Sequence, residues 1–427
     1  MTKNFIISRM FSLVCISILI QTALAAPNFT KATSLQTSCV TIITKEDMAL
    51  LLKEANPEQL ALLSESSAEG KKKVAENLMQ LLAVACQARK EGIANDRIVK
   101  RELESIQRIL TAAIYDRVIN GGKSPAQPFH LITEERVNEF WDNKIHETDF
   151  QEFLDSKLAI AKESGRFPKD KVLTEEEIKQ AKGDYAKVTI YEAEVKAKPS
   201  EIGEDIKREL ELQIKLQQAQ FLSEVYARKF LIEKAKVTDE EIKIHIVTHP
   251  EFNTKAQKTK ALKILHRVKA GENFAGLADK FSNDPGNIST ATQKRNGGLY
   301  INLTAGQFIP EIEQAVLSLK PGQIYSEIVE TVHGYHIVKL ERRIQTKGED
   351  SQMKLIYDFR HILISTLIKD PNNPSSSPIP IKEYVRTKLE KEKEKKILDA
   401  IVENNPIEIQ DFEVPKVSAK SKNDKQR

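Results

Sequence analysis

Thr331-Val-His-Gly-Tyr-His-Ile-Val-Lys-Leu340 is the stretch on which the fold turns. A glycine turn is followed by aromatic and β-branched residues, the pattern of a strand, and His336 stands at its start. Upstream, Leu262 to Ala270 reads as a helix closed by Gly271. It is followed by Glu272-Asn-Phe-Ala-Gly-Leu-Ala-Asp-Lys-Phe-Ser-Asn-Asp-Pro-Gly286. Then come Asn296-Gly-Gly-Leu-Tyr300, Gly306-Gln-Phe-Ile-Pro-Glu-Ile312 and Ala315-Val-Leu-Ser-Leu-Lys-Pro-Gly-Gln-Ile324. Short helices and strands cut by Gly and Pro mark an α+β domain. The change sets in near His249-Pro250; before it the pattern is almost wholly helical.

This ordered series resembles the parvulin family of peptidyl-prolyl isomerases. Single pieces such as Gly-Gly-Leu are common, but five in order at near-family spacing form a specific signature. The resemblance implies a small antiparallel sheet with helices, the FKBP-like superfold. It also implies an apolar proline slot lined by Leu299, Phe308 and Ile312, and a polar cluster of Asp284, Thr331 and His336. The chemistry is coherent with those residue types. Rotation about an X–Pro bond must break amide resonance, against a barrier of ~18–20 kcal/mol. An apolar slot and polar groups that favour the twisted amide suffice, with no metal, cofactor or covalent intermediate. Read singly, Leu299 and Ile312 are ordinary core residues, Asp284 before Pro285 is a turn former, and His336 is a core histidine.

One family feature is missing from its usual place. Parvulin domains open with a strand of the type Arg-His-Ile-Leu, whose histidine joins the polar cluster. Residues 251–261 contain no such strand and no His. Tyr357-Asp-Phe-Arg-His-Ile-Leu-Ile364 has that form, displaced to the C-terminal side. The strand at 336–343 is expected to turn back through 344–353 and pair antiparallel with 355–364, bringing His361 to His336. Two competing readings make 355–364 the start of a degenerate second repeat or a strand of the helical body.

The chain opens like an export leader. Lys3 and Arg9 precede an apolar run from Met10 to Ile20, and Ala23-Leu-Ala25 forms a cleavage site. The run is too short for a stable membrane anchor. A periplasmic or secreted protein is expected, cut after Ala25. With 30% charged and 40% hydrophobic residues and a net charge of +4, the chain is globular in balance. Its charges are interspersed and give no nucleic-acid footprint. Beyond the leader only Cys39 and Cys86 remain. The favoured reading leaves them as two small buried apolar residues, with a disulfide as the alternative. His245 and His249, four apart, lack a third ligand, so no metal site is read there.

The expected divisions are a signal peptide at 1–25, a helical chaperone region at 26–250, and the parvulin-like domain at 251–366 with its core at 262–342. A returning loop, helix and strand at 367–415 and a disordered basic tail at 416–427 follow. Strand patterns near residues 38–45 and 407–414 could pair and close one body around the middle domain. Thr44, Thr174 and Thr238 look like helix caps, and Glu204 to Lys234 like one long helix. The flanks resemble exported foldases of the SurA and PrsA types. That resemblance implies chaperone action on unfolded or proline-containing exported polypeptides, with outer-membrane proteins among the candidate clients. No nucleic-acid partner, stable membrane insertion or particular oligomeric state is implied. The alternative is a non-catalytic holdase whose parvulin domain only binds peptides.

Overall fold

A computed structural model describes residues 39–53, 67–122, 127–288, 293–347, 353–371, 373 and 375–413. The expected leader and the basic tail lie outside the described residues. The fold is α+β, mainly helical, and divides into two units. One comprises Met1–Lys234 with Glu394–Arg427, the other Ala235–Lys393.

The first unit is helical. Strand β1 (Ile42–Ile43) is shorter than the 38–45 pattern and pairs in parallel with Glu408–Ile409 near the other end of the chain. Thr44 caps helix α1 (Lys45–Lys53) reciprocally: Asp47 N donates to Thr44 Oγ1 at 3.2 Å, and Thr44 N to Asp47 Oδ2 at 3.0 Å. Helices α2 (Ser67–Lys90), α3 (Arg97–Ile119), α4 (Glu134–Trp141), α5 (Ile145–Glu163), α6 (Glu175–Ala197) and α7 (Glu204–Tyr226) follow. Thr174 and Glu177 form a capping box at the start of α6. The long helix read at 204–234 runs on from α7 through a π-helical turn, Ala227–Leu231, into Ile232–Ala235. Leu78, Leu82, Leu222 and Tyr226 bury against Ile43, Leu398, Ile401 and Phe412, so both ends of the chain share one core. The two cysteines are not separate apolar residues: Cys39 and Cys86 form a disulfide, their Cα atoms 5.1 Å apart. Chain separation alone hides such proximity, which the packing of β1 on α2 creates.

In the second unit, α8 (Asp239–Thr248) starts at a capping box of Thr238 and Glu241. Helix α9 (Lys255–Lys269) begins seven residues before the expected Leu262, and α10 (Phe274–Phe281) follows. The remaining elements are β2 (Leu299–Thr304), α11 (Pro310–Leu317), β3 (Val329–Thr331), β4 (Gly334–Lys347), β5 (Met353–Ser365) and the part of α12 (Ile381–Asn404) up to Lys393, the rest of that helix belonging to the first unit. Strands β2 to β5 make an antiparallel sheet in the order β2-β5-β4-β3. Successive side chains leave a strand on opposite faces. On one face Tyr335, Ile337, Ile362 and Ile364 meet α9 and α10. On the other Val338, Leu340, Tyr357 and Phe359 meet Ile312 and Val316 of α11. That parity puts His336 and His361 on the α11 face. Burying such side chains stabilises the sheet by about 1.5–3 kcal/mol apiece.

Candidate active site

The register of β4 on β5 decides the site. Val338 lies opposite His361 and Leu363 opposite His336, so the two imidazoles are diagonal neighbours on one face. Their rings are nearly parallel, 7° apart with centroids at 5.4 Å, and Nδ1 faces Nδ1 at 3.2 Å. Both residues are buried, 1% and 2% exposed, which makes the proton between them a matter of structure.

Hydrogen bonding continues outward from each ring. His361 Nε2 lies 2.8 Å from Asp284 Oδ2, and His336 Nε2 lies 2.9 Å from Thr331 Oγ1. An ionised carboxylate only accepts, so His361 Nε2 carries hydrogen, and in a neutral ring its Nδ1 then accepts from His336 Nδ1. His336 Nε2 then accepts from the Thr331 hydroxyl, whose oxygen also receives the His333 backbone N–H at 3.1 Å. Every donor finds an acceptor with both rings neutral. Burial, and next the neighbouring His361, hold the His336 pKa down to about 3, although Asp284 pulls it upward. Burial pushes the Asp284 carboxyl up, but the bonds from His361, Tyr300 and the Gly286 backbone carry it below its usual range.

Local sequence places each member. Ser282-Asn-Asp284 leaves α10 and is tied to β5 beyond the Asp284–His361 bond: Leu363 N donates to Ser282 Oγ, Ser365 N to Asn283 Oδ1, and Asn283 N to the Leu363 carbonyl. Helix α10 ends at Phe281, Pro285 opens a short 3-10 turn, and the Asp284 side chain caps that turn through Gly286 N at 3.2 Å. Gly298, at φ +70°, lies against β5 so closely that a Cβ there would sit 2.2 Å from the His361 carbonyl oxygen.

The apolar side is uneven. Phe308 is half-buried and meets Phe359 and His361 edge-on, with centroids at 4.9 and 5.7 Å. Ile312 is fully buried beneath it among Val338, Leu340, Tyr357 and Phe359. Leu299 is not brought to the cluster. It lies opposite Arg360 in register, and the pleat sends its side chain away from the histidine face. Tyr300, the next residue, stands there instead, with its hydroxyl 2.8 Å from Asp284 Oδ2. Only the pairing of Tyr300 with Phe359 identifies it, and no local pattern in the sequence does. His245 and His249 lie outside this cluster and stack on each other at 3.7 Å.

A family model described as rotamase, PPIC-type PPIase domain, matches residues 244–342. The chain is 30% identical over 271 residues to the foldase protein PrsA of Caldanaerobacter subterraneus, covering 60% of this chain and 77% of that one. It is 34% identical over 177 residues to foldase protein PrsA 3 of Bacillus cereus, covering 39% and 59%. Over 160 residues it is 31% identical to chaperone SurA of Chromohalobacter salexigens, covering 37% and 34%. The last two matches take in less than two thirds of those relatives.

Proposed function

Because the chain belongs to the parvulin-type family of PrsA-like and SurA-like foldases, we propose that it is an exported peptidyl-prolyl isomerase and chaperone for secreted or outer-membrane proteins. One observation carries the isomerase reading. The chain Thr331–His336–His361–Asp284 runs unbroken along the sheet face beside Phe308. In this reading β5 replaces the strand that parvulin domains carry first, and His361 supplies its histidine.

The proposed mechanism needs no chemistry beyond binding. The proline ring enters beside Phe308, which Ile312 supports from below. The planar amide loses water there, while the ordered dipoles of Asp284, His361, His336 and Thr331 favour the twisted amide, whose charge distribution differs. Each 1.4 kcal/mol of such preference speeds about tenfold a step that otherwise takes tens to hundreds of seconds. Export accords with the leader read at 1–25. No helix among the described residues is long and apolar enough to cross a membrane.

A proline-limited peptide assay tests the proposal. Acceleration over background at micromolar enzyme is expected; its absence would leave a peptide-binding holdase. The chaperone part predicts suppressed aggregation of an unfolded client, and an unchanged time course of light scattering refutes it.

A further inference from the structure

We infer that Tyr300 is a positioning residue of this site, its hydroxyl holding the Asp284 carboxylate as the fixed acceptor that orders the protons through His361, His336 and Thr331. The inference rests on the isomerase reading for its link to turnover, but the clamp itself stands on geometry. Asp284 Oδ2 receives two donors, Tyr300 O–H at 2.8 Å and His361 Nε2 at 2.8 Å. Its second oxygen takes Gly286 N at 3.2 Å.

The tyrosine ring is held on three sides. It stacks on Phe359 at 5.4 Å and 15°, and meets Phe308 and His361 edge-on at 5.0 and 5.2 Å. The space for its hydroxyl exists only because residue 286 is glycine. A Cβ there would lie 1.8 Å from the Tyr300 oxygen and 2.7 Å from Cζ. Nothing about apolar packing calls for that hydroxyl, since phenylalanine would fill the same ring position.

The chemistry follows from what a carboxyl does on protonation. An ionised Asp284 accepts from both neighbours. A protonated one becomes a donor, competes with Tyr300 O–H and His361 Nε2–H, and frees His361 to change tautomer. Two donors on one oxygen oppose protonation. The titratable groups facing Asp284 are Tyr300 from β2 and His361 from β5. His336 of β4 and His333 of the β3–β4 turn stand one step beyond. The Tyr300 hydroxyl is raised, by burial and then by Asp284, as fits a donor to an ionised carboxylate.

Tyr300→Phe in the full chain tests this, read by activity and by nitrogen-15 spectra of the histidine rings. The ring remains, so KM should stay within about twofold while kcat falls about tenfold, the equivalent of about 1.4 kcal/mol. The acid limb of kcat/KM should move to higher pH. In the wild type His361 should hold hydrogen on Nε2 and His336 on Nδ1, and this order should fail at a higher pH in the variant. Wild-type kcat and titrations in Tyr300→Phe would overturn the inference, as would a raised KM at unchanged kcat, which is the signature of slot packing alone. If the wild type proves inactive, the isomerase reading falls by itself. The ring titrations then decide the clamp: a shift sustains it, and identical curves refute it. Should Tyr300→Phe not fold, Gly286→Ala is read by the ring titrations alone, because its Cβ meets both the hydroxyl and Cζ: a shift sustains the clamp, and wild-type curves refute it.

Discussion

His361 links the two ends of the polar chain, bonding His336 through Nδ1 and Asp284 through Nε2. Its removal strands both partners in a buried setting, at about 1–3 kcal/mol for each unpaired group. His361→Ala should therefore lower kcat/KM about tenfold to hundredfold, and a variant that turns over like the wild type would exclude His361 from the site. Acid should weaken the fold through the same cluster. His336 stays neutral when folded, with a pKa of about 3, whereas unfolded histidine takes up a proton near pH 6.5. Stability contributed by the neutral ring is thus present above about pH 6.5 and is lost progressively as pH falls towards 3. Asp284, also lowered, adds loss in the same direction as pH falls through its folded value. Melting temperatures at pH 7, 5 and 4 should decline, and His336→Gln should flatten the decline. An equal slope in that variant would assign the loss elsewhere.

Strand β5 is the element on which the sheet depends. It lies between β2 and β4, and Tyr357, Phe359 and Ile362 on its two faces are each 0% exposed. The family match ends at residue 342, before this strand begins. A fragment cut to 235–346 would lose the central strand, leaving β2 without a neighbour, one face without Tyr357 and Phe359 and the other without Ile362 and Ile364. It should be unfolded by circular dichroism and amide dispersion, whereas 235–393 should fold cooperatively. A folded short fragment would mean that the sheet closes without β5. The chain affords this order because a sheet is defined by hydrogen-bonded neighbours, and a hairpin from β4 reaches the position as well as an N-terminal strand would.

At the scale of the molecule, each unit closes on a different principle. The second is built on the sheet. The first joins residues from both ends of the chain, through the pairing of β1 with Glu408–Ile409 and through Leu398, Ile401 and Phe412 in the shared core. The Cys39–Cys86 disulfide fastens β1 to α2 across a separation of 47 residues. Cross-linking a loop of that size stabilises a fold by about 4 kcal/mol. Replacing both cysteines with serine should lower the denaturant midpoint of the first unit and leave proline turnover in place. An unchanged midpoint would show that the strand pair and its packing hold without the bond.

The order of motifs between Leu262 and Leu340, the threonine caps and the long helical faces were all legible in the sequence. Local chemistry dictates them: glycine turns, alternating strands and reciprocal caps need only near neighbours. Phe308, His336 and Asp284 were legible for the same reason, as members of an ordered series. The disulfide, the side chain that reaches Asp284 and the exact register of β4 on β5 belong to tertiary structure, whereas the approach of His361 to His336 is expected from the form of residues 357–364. Leu299 and Tyr300 are adjacent and both half-buried, and only the pairing of β2 with β5 selects which one faces the histidines. Distance along the chain carries no information about distance across a sheet. Register on β5, and the ties of the segment after α10 to that strand, put the tyrosine hydroxyl, the carboxylate and two imidazoles into one hydrogen-bonded chain.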